Sequence, residues 1–198
     1  MSAPKDILLF GATGLIGTYI LQALVNAKSS FGRLGIFTSP GTIERKGTEI
    51  QSLKDKGVEI FVGDVESEAD VLRAYNGFDT VISALGRNAL LKQIDLIQLA
   101  EQTPNIKRFF PSEYGTDIEY GPSSANEKPH EQKLKVRAYF KNTATRLEHT
   151  YLVTGPYADG YMSLAKRDPR AGSFDVFEKK VVLLGTGDEK ISLTTMRE

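Results

Sequence analysis

Short apolar runs alternate with longer amphipathic segments along residues 1–154 of the 198-residue chain. Continuous apolar runs of four or five residues are typical of strands that are buried on both faces, and apolar positions three or four residues apart are typical of helices. The runs predict strands at Ile7–Phe10, Leu34–Thr38, Val58–Val62, Thr80–Ala84, Lys107–Phe110 and Thr150–Thr154. The amphipathic segments predict helices near Gly14–Asn26, Thr42–Lys56, Glu68–Tyr75, Asn88–Glu101 and Pro129–Asn142. This alternation indicates an α/β chain whose parallel sheet is built from βαβ units.

The pattern changes after Thr154. Two short β-prone segments, Lys179–Gly185 and Lys190–Thr195, flank a Thr-Gly-Asp turn and predict a hairpin. The last five residues, from Thr194, have the Ser/Thr and acidic residues that usually begin a helix. We therefore expect one domain over residues 1–154 and a partial C-terminal region over residues 155–198, in a chain that is a truncated form of a longer protein.

A glycine-rich turn joins the first predicted strand to the first predicted helix. Gly11 allows the tight turn, Gly14 allows a pyrophosphate to approach the backbone, and Gly17 allows the helix to pack against the sheet. The free N–H groups and the dipole of the helix would face the phosphates. The alternative is a glycine turn that only packs a helix on a strand. The motif favours a doubly wound Rossmann fold, with a pyrophosphate held by Gly11, Thr13, Gly14, Leu15, Ile16 and Gly17.

The end of the second predicted strand bears on which dinucleotide binds. An acidic residue there would accept hydrogen bonds from the ribose 2′-hydroxyl of NAD and repel the 2′-phosphate of NADP. No acid occurs between this strand and Glu44, whereas Thr38 and Ser39 can donate to a phosphate and Arg45, followed by another cation at Lys46, can add charge. The sequence thus favours NADP(H) over NAD(H), although these two cations could equally form a solvated helix face.

Two further segments follow predicted strands at the same edge of the sheet. Asp64 comes after the third strand, where the adenine would lie, or it is the N-cap of the following helix. Ser83, Ala84 and Leu85 lie at and just after the end of the fourth predicted strand, and the small residues there, which permit close backbone approach, predict that this segment flanks the ribose and the nicotinamide.

The commonest hydride-transfer site on such a scaffold pairs a tyrosine with a lysine four residues later, but none of the eight tyrosines here has one. Lys133 is the remaining candidate, because it shares a helical stripe with Val136 and Phe140 and should point toward packed surface, whereas Lys135 should face solvent. An inward lysine could bind the cofactor ribose and polarise or protonate a substrate oxygen. The alternative is a lysine whose stem lies along the surface with its ammonium in water.

Two other titratable residues lie near this candidate. Ser112, Glu113 and Tyr114 follow the fifth predicted strand, at the edge where residues line the crevice. The alternative for Glu113, and the favoured one, is a structural hydrogen-bond anchor. His130, one turn before Lys133, is expected to be exposed.

Composition excludes several classes of function. The chain has 25 basic and 25 acidic residues, no cysteine and two histidines. These numbers argue against a nucleic-acid or membrane partner, thiolate or histidine-rich metal sites, and disulfides. No apolar run is long enough to cross a bilayer and the N-terminus is no signal peptide, so a cytoplasmic protein is expected.

Three segments together carry a family resemblance. The glycine turn, the sequence FPSEYG at Phe110–Gly115 and the sequence KLKVR at Lys133–Arg137 resemble the NmrA-like, isoflavone reductase-like family of atypical short-chain dehydrogenases. The resemblance implies a domain that binds NADP(H), a smaller C-terminal domain that completes the substrate pocket, and a lysine at Lys133 that assists reduction of aromatic or phenolic substrates. Ser39 stands where the family's reductases usually carry an arginine for the 2′-phosphate, and members usually continue well beyond residue 198.

The sequence therefore predicts an NAD(P)H-dependent oxidoreductase that acts on a small aromatic or apolar carbonyl-type substrate. One alternative is a non-catalytic NAD(P)-sensing regulator that binds a protein partner, as the resemblance to the NmrA regulator implies. A second alternative is an inactive fragment.

Overall fold

The computed structural model describes residues 5–161, 173–175, 177–183 and 185–197. The strands, numbered β1 to β8 in chain order, are Ile7–Phe10, Leu34–Thr38, Glu59–Val62, Thr80–Ser83, Arg108–Phe110, Glu148–His149, Ser173–Asp175 and Lys180–Val182. The α-helices, numbered α1 to α6, are Leu15–Asn26, Pro40–Asp55, Glu68–Tyr75, Lys92–Gln102, Lys128–Asn142 and Ala158–Tyr161. Short 3-10 helices occur at Lys28–Ser30, Arg87–Ala89 and Pro122–Asn126.

Six parallel strands form one sheet in the order β3-β2-β1-β4-β5-β6. The chain thus builds outward from β1 in one direction and then restarts at β4 on the other side of β1, which is the doubly wound Rossmann arrangement. The predicted α/β class and parallel sheet are confirmed. The bounds of β1 and β2 match the predicted strands residue for residue.

Alternating residues of the central strand are buried on opposite faces of the sheet. Leu8 and Phe10 of β1 belong to a cluster that contains apolar residues of α3, α4 and α5, whereas Ile7 and Leu9 are buried outside that cluster. Phe10 stacks on Phe37 of β2 with ring centroids 4.8 Å apart. Burial of β1 on both faces explains why its sequence is continuously apolar rather than alternating.

The predicted strand Thr150–Thr154 is wrong. The last strand of the sheet is Glu148–His149, and the residues that follow it have no regular hydrogen-bonding pattern. The ladder with β5 has only two residue pairs, and β5 itself is followed by Pro111, which has no N–H to extend it.

The predicted C-terminal hairpin is also wrong. β8 pairs antiparallel with β7, and the Asp175 carboxylate closes the turn between them by accepting from the N–H groups of Phe177 and Glu178. Thr194 instead forms an isolated bridge with Tyr157, and no helix begins there among the residues described.

Contacts divide the chain into two compact units. The first contains the residues up to Glu113 together with Ile118–Leu152, and the second contains Tyr114–Asp117 and the residues from Val153 onward. In the described part of the chain, no helix is both long and apolar enough to cross a membrane.

Glu101 at the end of α4 anchors the segment that leads into β6. Its carboxylate accepts hydrogen bonds from the main-chain N–H groups of Thr145, Arg146 and Leu147 at 3.0, 2.6 and 3.0 Å. Burial raises the pKa of this carboxyl, but the three donors outweigh burial and hold the pKa below its usual range. The charged form is therefore the one that the folded chain prefers.

A Glu101→Gln variant should be less stable than the wild type near pH 7, by about 1–3 kcal/mol, because hydrogen bonds to a charged acceptor are lost. Since the folded pKa lies below the unfolded one, this contribution exists above the unfolded pKa and disappears as pH falls through the folded pKa. Urea unfolding at pH 7 and at pH 3 measures the difference, with the exposed Glu44→Gln as control. A difference that is the same at both pH values would contradict this role.

Candidate active site

The strand order reverses between β1 and β4, and the loops after these two strands meet at the carboxyl edge of the sheet. Phe10 pairs with Ser83 at the end of the ladder, and the N–H of Ala84 donates to the carbonyl of Phe10 at 2.9 Å. In doubly wound sheets, ligands bind in the crevice at this point of reversal. The glycine turn and the segment Ser83–Leu85 both lie there.

At two positions of the glycine turn, the main chain is packed so closely that no side chain fits. Gly11 has φ +74°, and a Cβ on it would collide with the carbonyl of Ala84. A Cβ on Gly17 would collide with the carbonyl of Gly11. Gly14 is the N-cap of α1, and its N–H donates to the carbonyl of Gly11 at 3.0 Å. The loop, the helix and the end of β4 therefore approach one another at distances that only glycine permits.

The N-terminus of α1 offers unused donors. No side chain caps it, and the first main-chain N–H with a helical acceptor is that of Thr18, which donates to Gly14 at 3.0 Å. The N–H groups of Leu15, Ile16 and Gly17 have no acceptor within the helix. Gly14 and Leu15 are exposed, and Leu15 is 69% exposed, so the first residues of this end are open to solvent. The geometry fits an anionic group such as a pyrophosphate.

At the end of β2, the structure gives Ser39 a local role beside the predicted one, as the cap of a helix. Thr38 is buried, and the Ser39 hydroxyl caps α2 by accepting from the N–H of Thr42 at 3.3 Å. α2 consequently begins at Pro40, two residues before its predicted start, because proline suits the first turn of a capped helix.

Of the two neighbouring cations on α2, the second reaches the glycine turn. Arg45 is exposed, whereas the Lys46 ammonium donates to the carbonyl of Thr13 at 3.0 Å. Lys46 has the non-helical angles φ −128° and ψ 29°, a kink within α2 that the sequence did not indicate. The sequence names both cations as candidates for the 2′-phosphate and favours Arg45 for the site, but it gives no sign of the contact between Lys46 and the turn.

Asp64 is not the N-cap of α3, so that alternative is wrong. The cap is Ser67, whose hydroxyl accepts from the N–H of Asp70 at 3.3 Å. Asp64 is exposed, and its carboxylate accepts from the N–H of Glu66 at 2.9 Å. A local turn therefore separates Asp64 from the helix by three residues.

The segment after β4 is tied to the segment after β5. The Ser112 hydroxyl donates to the carbonyl of Leu85 at 2.9 Å, and the Ser112 N–H donates to the side-chain oxygen of Gln93 at 2.7 Å. Ser83 is fully buried, and its hydroxyl has no hydrogen-bond partner among the described residues. Gln93 is buried as well, and its amide nitrogen donates to Leu90.

Gln93 is not among the predicted site residues, although the helix pattern contains a signal for it. Gln93 lies on the same helical stripe as Leu96, Ile97 and Ala100, which are all buried. A polar residue on an apolar helix face must find a hydrogen-bond partner, since burying an unpaired amide costs free energy.

Lys133 has the inward position that its stripe predicts. Val136 and Phe140 are buried, and Lys135 is exposed and paired with Glu131 at 2.7 Å. The Lys133 side chain is half-buried, and its ammonium donates to the main-chain carbonyl of Glu113. The alternative of an ammonium free in solvent is therefore wrong.

The surroundings of Lys133 shift its pKa. Burial lowers the pKa of Lys133 below its ordinary value. The negative charge of Glu113 opposes this effect, and the positive charges of Arg137 and Arg87 add to it. A lysine with a lowered pKa gives up its proton more readily than an exposed one.

Glu113 is buried, and both of its carboxylate oxygens accept from Arg137 of α5 at 3.0 and 3.1 Å. This bears out the anchor role predicted for Glu113. His130 differs from its prediction, because it is only partly exposed and its Nδ1 lies 2.8 Å from the carbonyl of Ser124.

Strand order, glycine turn and open helix N-terminus together define a dinucleotide-binding domain of the Rossmann type. A model of the NmrA-like family matches residues 3–167. The chain belongs to the NmrA-like family.

Relatives of this chain include plant reductases. It is 33% identical over 190 residues to an Arabidopsis thaliana isoflavone reductase homolog, P3, with 94% of this chain and 59% of the relative covered. It is 30% identical to phenylcoumaran benzylic ether reductase 1 of the same plant, with 96% and 60% covered. The chain thus spans about three fifths of the length of these relatives.

Solved structures of similar proteins agree with this assignment. The crystal structure of an isoflavone reductase is 26% identical and superimposes with a TM-score of 0.79, covering 98% of this chain and 62% of that one. The binary complex of leucoanthocyanidin reductase with NADPH from Vitis vinifera is 27% identical, with a TM-score of 0.68 and coverage of 77% and 50%.

Proposed function

We propose that the protein is an NADP(H)-dependent reductase of small aromatic or apolar carbonyl-type substrates, with Lys133 as its catalytic residue. The observation that carries the proposal is the half-buried ammonium of Lys133, bound to the carbonyl of Glu113. This carbonyl follows β5, at the edge of the sheet where the glycine turn also lies. The names of the plant relatives support reductase chemistry, and none of them favours the regulatory alternative.

The proposed cofactor site extends along the carboxyl edge from β3 to β4. The N–H groups at the start of α1 hold the pyrophosphate, and the glycine turn lets it approach. On the adenosine side, Lys46 adds a cation beside the turn to the one predicted at Arg45. The complete set proposed for the cofactor is Gly11, Thr13, Gly14, Leu15, Ile16, Gly17, Thr38, Ser39, Arg45, Lys46, Asp64, Ser83, Ala84, Leu85 and Lys133.

Bound NADPH supplies the hydride for the proposed reaction. Lys133 polarises the substrate oxygen and donates a proton to it, a task that its lowered pKa assists. Glu113 holds the ammonium through its main-chain carbonyl, which leaves two of the three ammonium protons for the substrate and the cofactor ribose. Residues 155–198 are proposed to belong to a substrate-binding region.

NADPH should raise the melting temperature of the purified chain more than an equal concentration of NADH does. Binding to the folded state alone stabilises it by about 2.7 kcal/mol at one hundred times the dissociation constant. In an Arg45→Ala/Lys46→Ala variant the difference between the two cofactors should shrink, since the cations near the 2′-phosphate are lost. Lys54→Ala, on the same helix and exposed, is the matched control.

Oxidation of NADPH, followed by its absorbance, is then measured with a panel of aromatic ketones, aldehydes and enones. Turnover of one or more of them, faster with NADPH than with NADH, is expected. Equal melting shifts with both cofactors would refute the NADP preference, and cofactor binding without any oxidation across the panel would refute the reductase.

A further inference from the structure

Two side chains of one helix hold opposite ends of Glu113. Lys133 and Arg137 are one turn apart on α5, a spacing that places them on the same helix face. The Lys133 ammonium donates to the main-chain carbonyl of Glu113. Arg137 donates to the carboxylate of the same residue, from Nε to Oε1 at 3.0 Å and from Nη2 to Oε2 at 3.1 Å. The position of the carbonyl and the position of the carboxylate are therefore linked through one residue.

Arg137 is itself held from several sides. Its Nη1 donates to the carboxylate of Glu119, and its guanidinium lies over the ring of Tyr151, 4.5 Å from the centroid. The side chains of Arg137 and Glu113 are only 9% and 2% exposed. A two-pronged, buried pair of this kind has a fixed geometry, whereas a single exposed ion pair does not.

We propose that Arg137 is a positioning residue for Lys133, acting through Glu113. Arg137 fixes the position of the Glu113 carboxylate and, through the same residue, the position of the Glu113 carbonyl. Since this carbonyl binds the Lys133 ammonium, Arg137 also determines where the ammonium lies at the edge of the sheet. The proposal rests on the proposed function for what Lys133 does there. The position of the ammonium itself can be tested without it.

Stability alone does not account for the pair. Burying two charges costs desolvation energy that their attraction barely offsets, so a buried ion pair is weak evidence of a stabilising role. The chain has a more exposed pair of the same design, in which Arg33 forks onto Glu59 at 2.8 and 2.7 Å and lies 4.4 Å from the centroid of the Phe78 ring. That pair lies at the amino ends of β2 and β3, away from the proposed site. It provides a matched control.

Removal of Arg137 is expected to raise the pKa of Lys133. Glu113 faces it from the segment after β5, Arg137 from its own helix and Arg87 from the 3-10 helix after β4. Removing Arg137 takes away a charge that lowers the pKa of Lys133 and leaves the Glu113 charge, which raises it, uncompensated. Release of the ammonium into water removes the effect of burial as well. Each change raises the pKa of Lys133 toward its ordinary value.

The test measures the pKa of Lys133 by competitive labelling with acetic anhydride across pH, read by mass spectrometry of the peptide that contains it. The variants are Arg137→Met, which matches the length of the stem without its charge, Arg137→Lys, and Arg33→Met as control. Thermal melting and NADPH affinity are measured in parallel. We expect the pH midpoint of labelling to rise in Arg137→Met and to stay at the wild-type value in Arg33→Met. For each pKa unit of the rise, the neutral fraction of Lys133 at a given pH below the midpoint falls about tenfold.

A lysine at position 137 keeps the charge but cannot fork onto both oxygens, so Arg137→Lys should show a smaller rise and recover part of the lost kcat. In Arg137→Met, kcat should fall at least about tenfold while the NADPH dissociation constant changes far less, since the pyrophosphate contacts of the glycine turn and α1 remain and only the ribose contact of Lys133 is disturbed. Should Arg137→Met fail to fold, Arg137→Lys carries the same test.

Because loss of the Arg137 charge by itself raises the midpoint in Arg137→Met, the deciding variant is Arg137→Lys, which keeps the charge. An unchanged midpoint in folded Arg137→Lys would overturn the positioning role. An equal rise in Arg33→Met would overturn it too, because a general loosening of the fold would then explain both. A rise confined to the Arg137 variants, in a chain that reduces no substrate of the panel, would support the positioning and overturn the proposed function instead.

Discussion

Lys133→Ala should lower kcat for NADPH-dependent reduction by about 10²- to 10⁴-fold, the range that a positioned proton donor contributes. Its ammonium is the group bound at the Glu113 carbonyl, and no tyrosine–lysine pair at the four-residue spacing exists to replace it. The NADPH dissociation constant should change far less, because the pyrophosphate contacts come from the glycine turn and α1. The measurement is steady-state kinetics beside direct cofactor titration.

Lys135→Ala is the matched control for this variant. Lys135 lies two residues along the same helix, is exposed, and pairs with Glu131. Its loss should leave kcat unchanged and cost at most about 0.5 kcal/mol of stability, as for other exposed helix pairs. Wild-type kcat in Lys133→Ala would exclude the proton-donor role.

The pH profile gives an independent check of the same role. A proton donor must be charged to act, so kcat/KM should fall as pH rises through the pKa of Lys133. Because burial lowers that pKa, the fall should come at lower pH than for an ordinary lysine, and it should be absent from Lys133→Ala.

Gly17→Ala should abolish most NADPH binding while leaving a folded chain. The added Cβ would collide with the carbonyl of Gly11, so α1 must move away from the turn. Overpacking of this kind costs about 1–3 kcal/mol, and the displaced N–H groups no longer converge on the pyrophosphate. We expect the NADPH dissociation constant to rise by at least about tenfold, or about 1.4 kcal/mol.

Gly47→Ala separates this effect from the general effect of a glycine replacement. Gly47 lies within α2, and a Cβ there would meet no atom within 4 Å. Alanine in a helix interior stabilises by up to about 1 kcal/mol relative to glycine. Calorimetric titration and thermal melting compare the two variants, and wild-type affinity in Gly17→Ala would show that α1 does not form the phosphate site.

The features that the sequence predicted correctly depend on local patterns. β1 and β2 are continuous apolar runs because both faces of the central strands are buried, and their bounds follow from the sequence. The inward position of Lys133 follows from helical spacing alone. For the glycine turn, the predicted close packing is seen at Gly11 and Gly17, where added Cβ atoms would collide with main-chain carbonyls.

The features that were missed depend on contacts between distant segments. Thr150–Thr154 is β-prone, yet the neighbouring strand β5 ends at Phe110 because Pro111 follows it and cannot extend the ladder. Lys46 contacts Thr13, which lies 33 residues earlier in the sequence, and α2 is kinked at Lys46 in a way that its sequence does not predict. The Glu113–Arg137 pair likewise joins two segments whose proximity exists only in the folded chain.

The bonds of Ser112 have a mechanical consequence. Its hydroxyl binds Leu85 and its N–H binds the buried Gln93, so the segments that leave β4 and β5 are tied to each other and to the start of α4. A displacement of either segment would therefore have to carry the other with it or break one of these two hydrogen bonds.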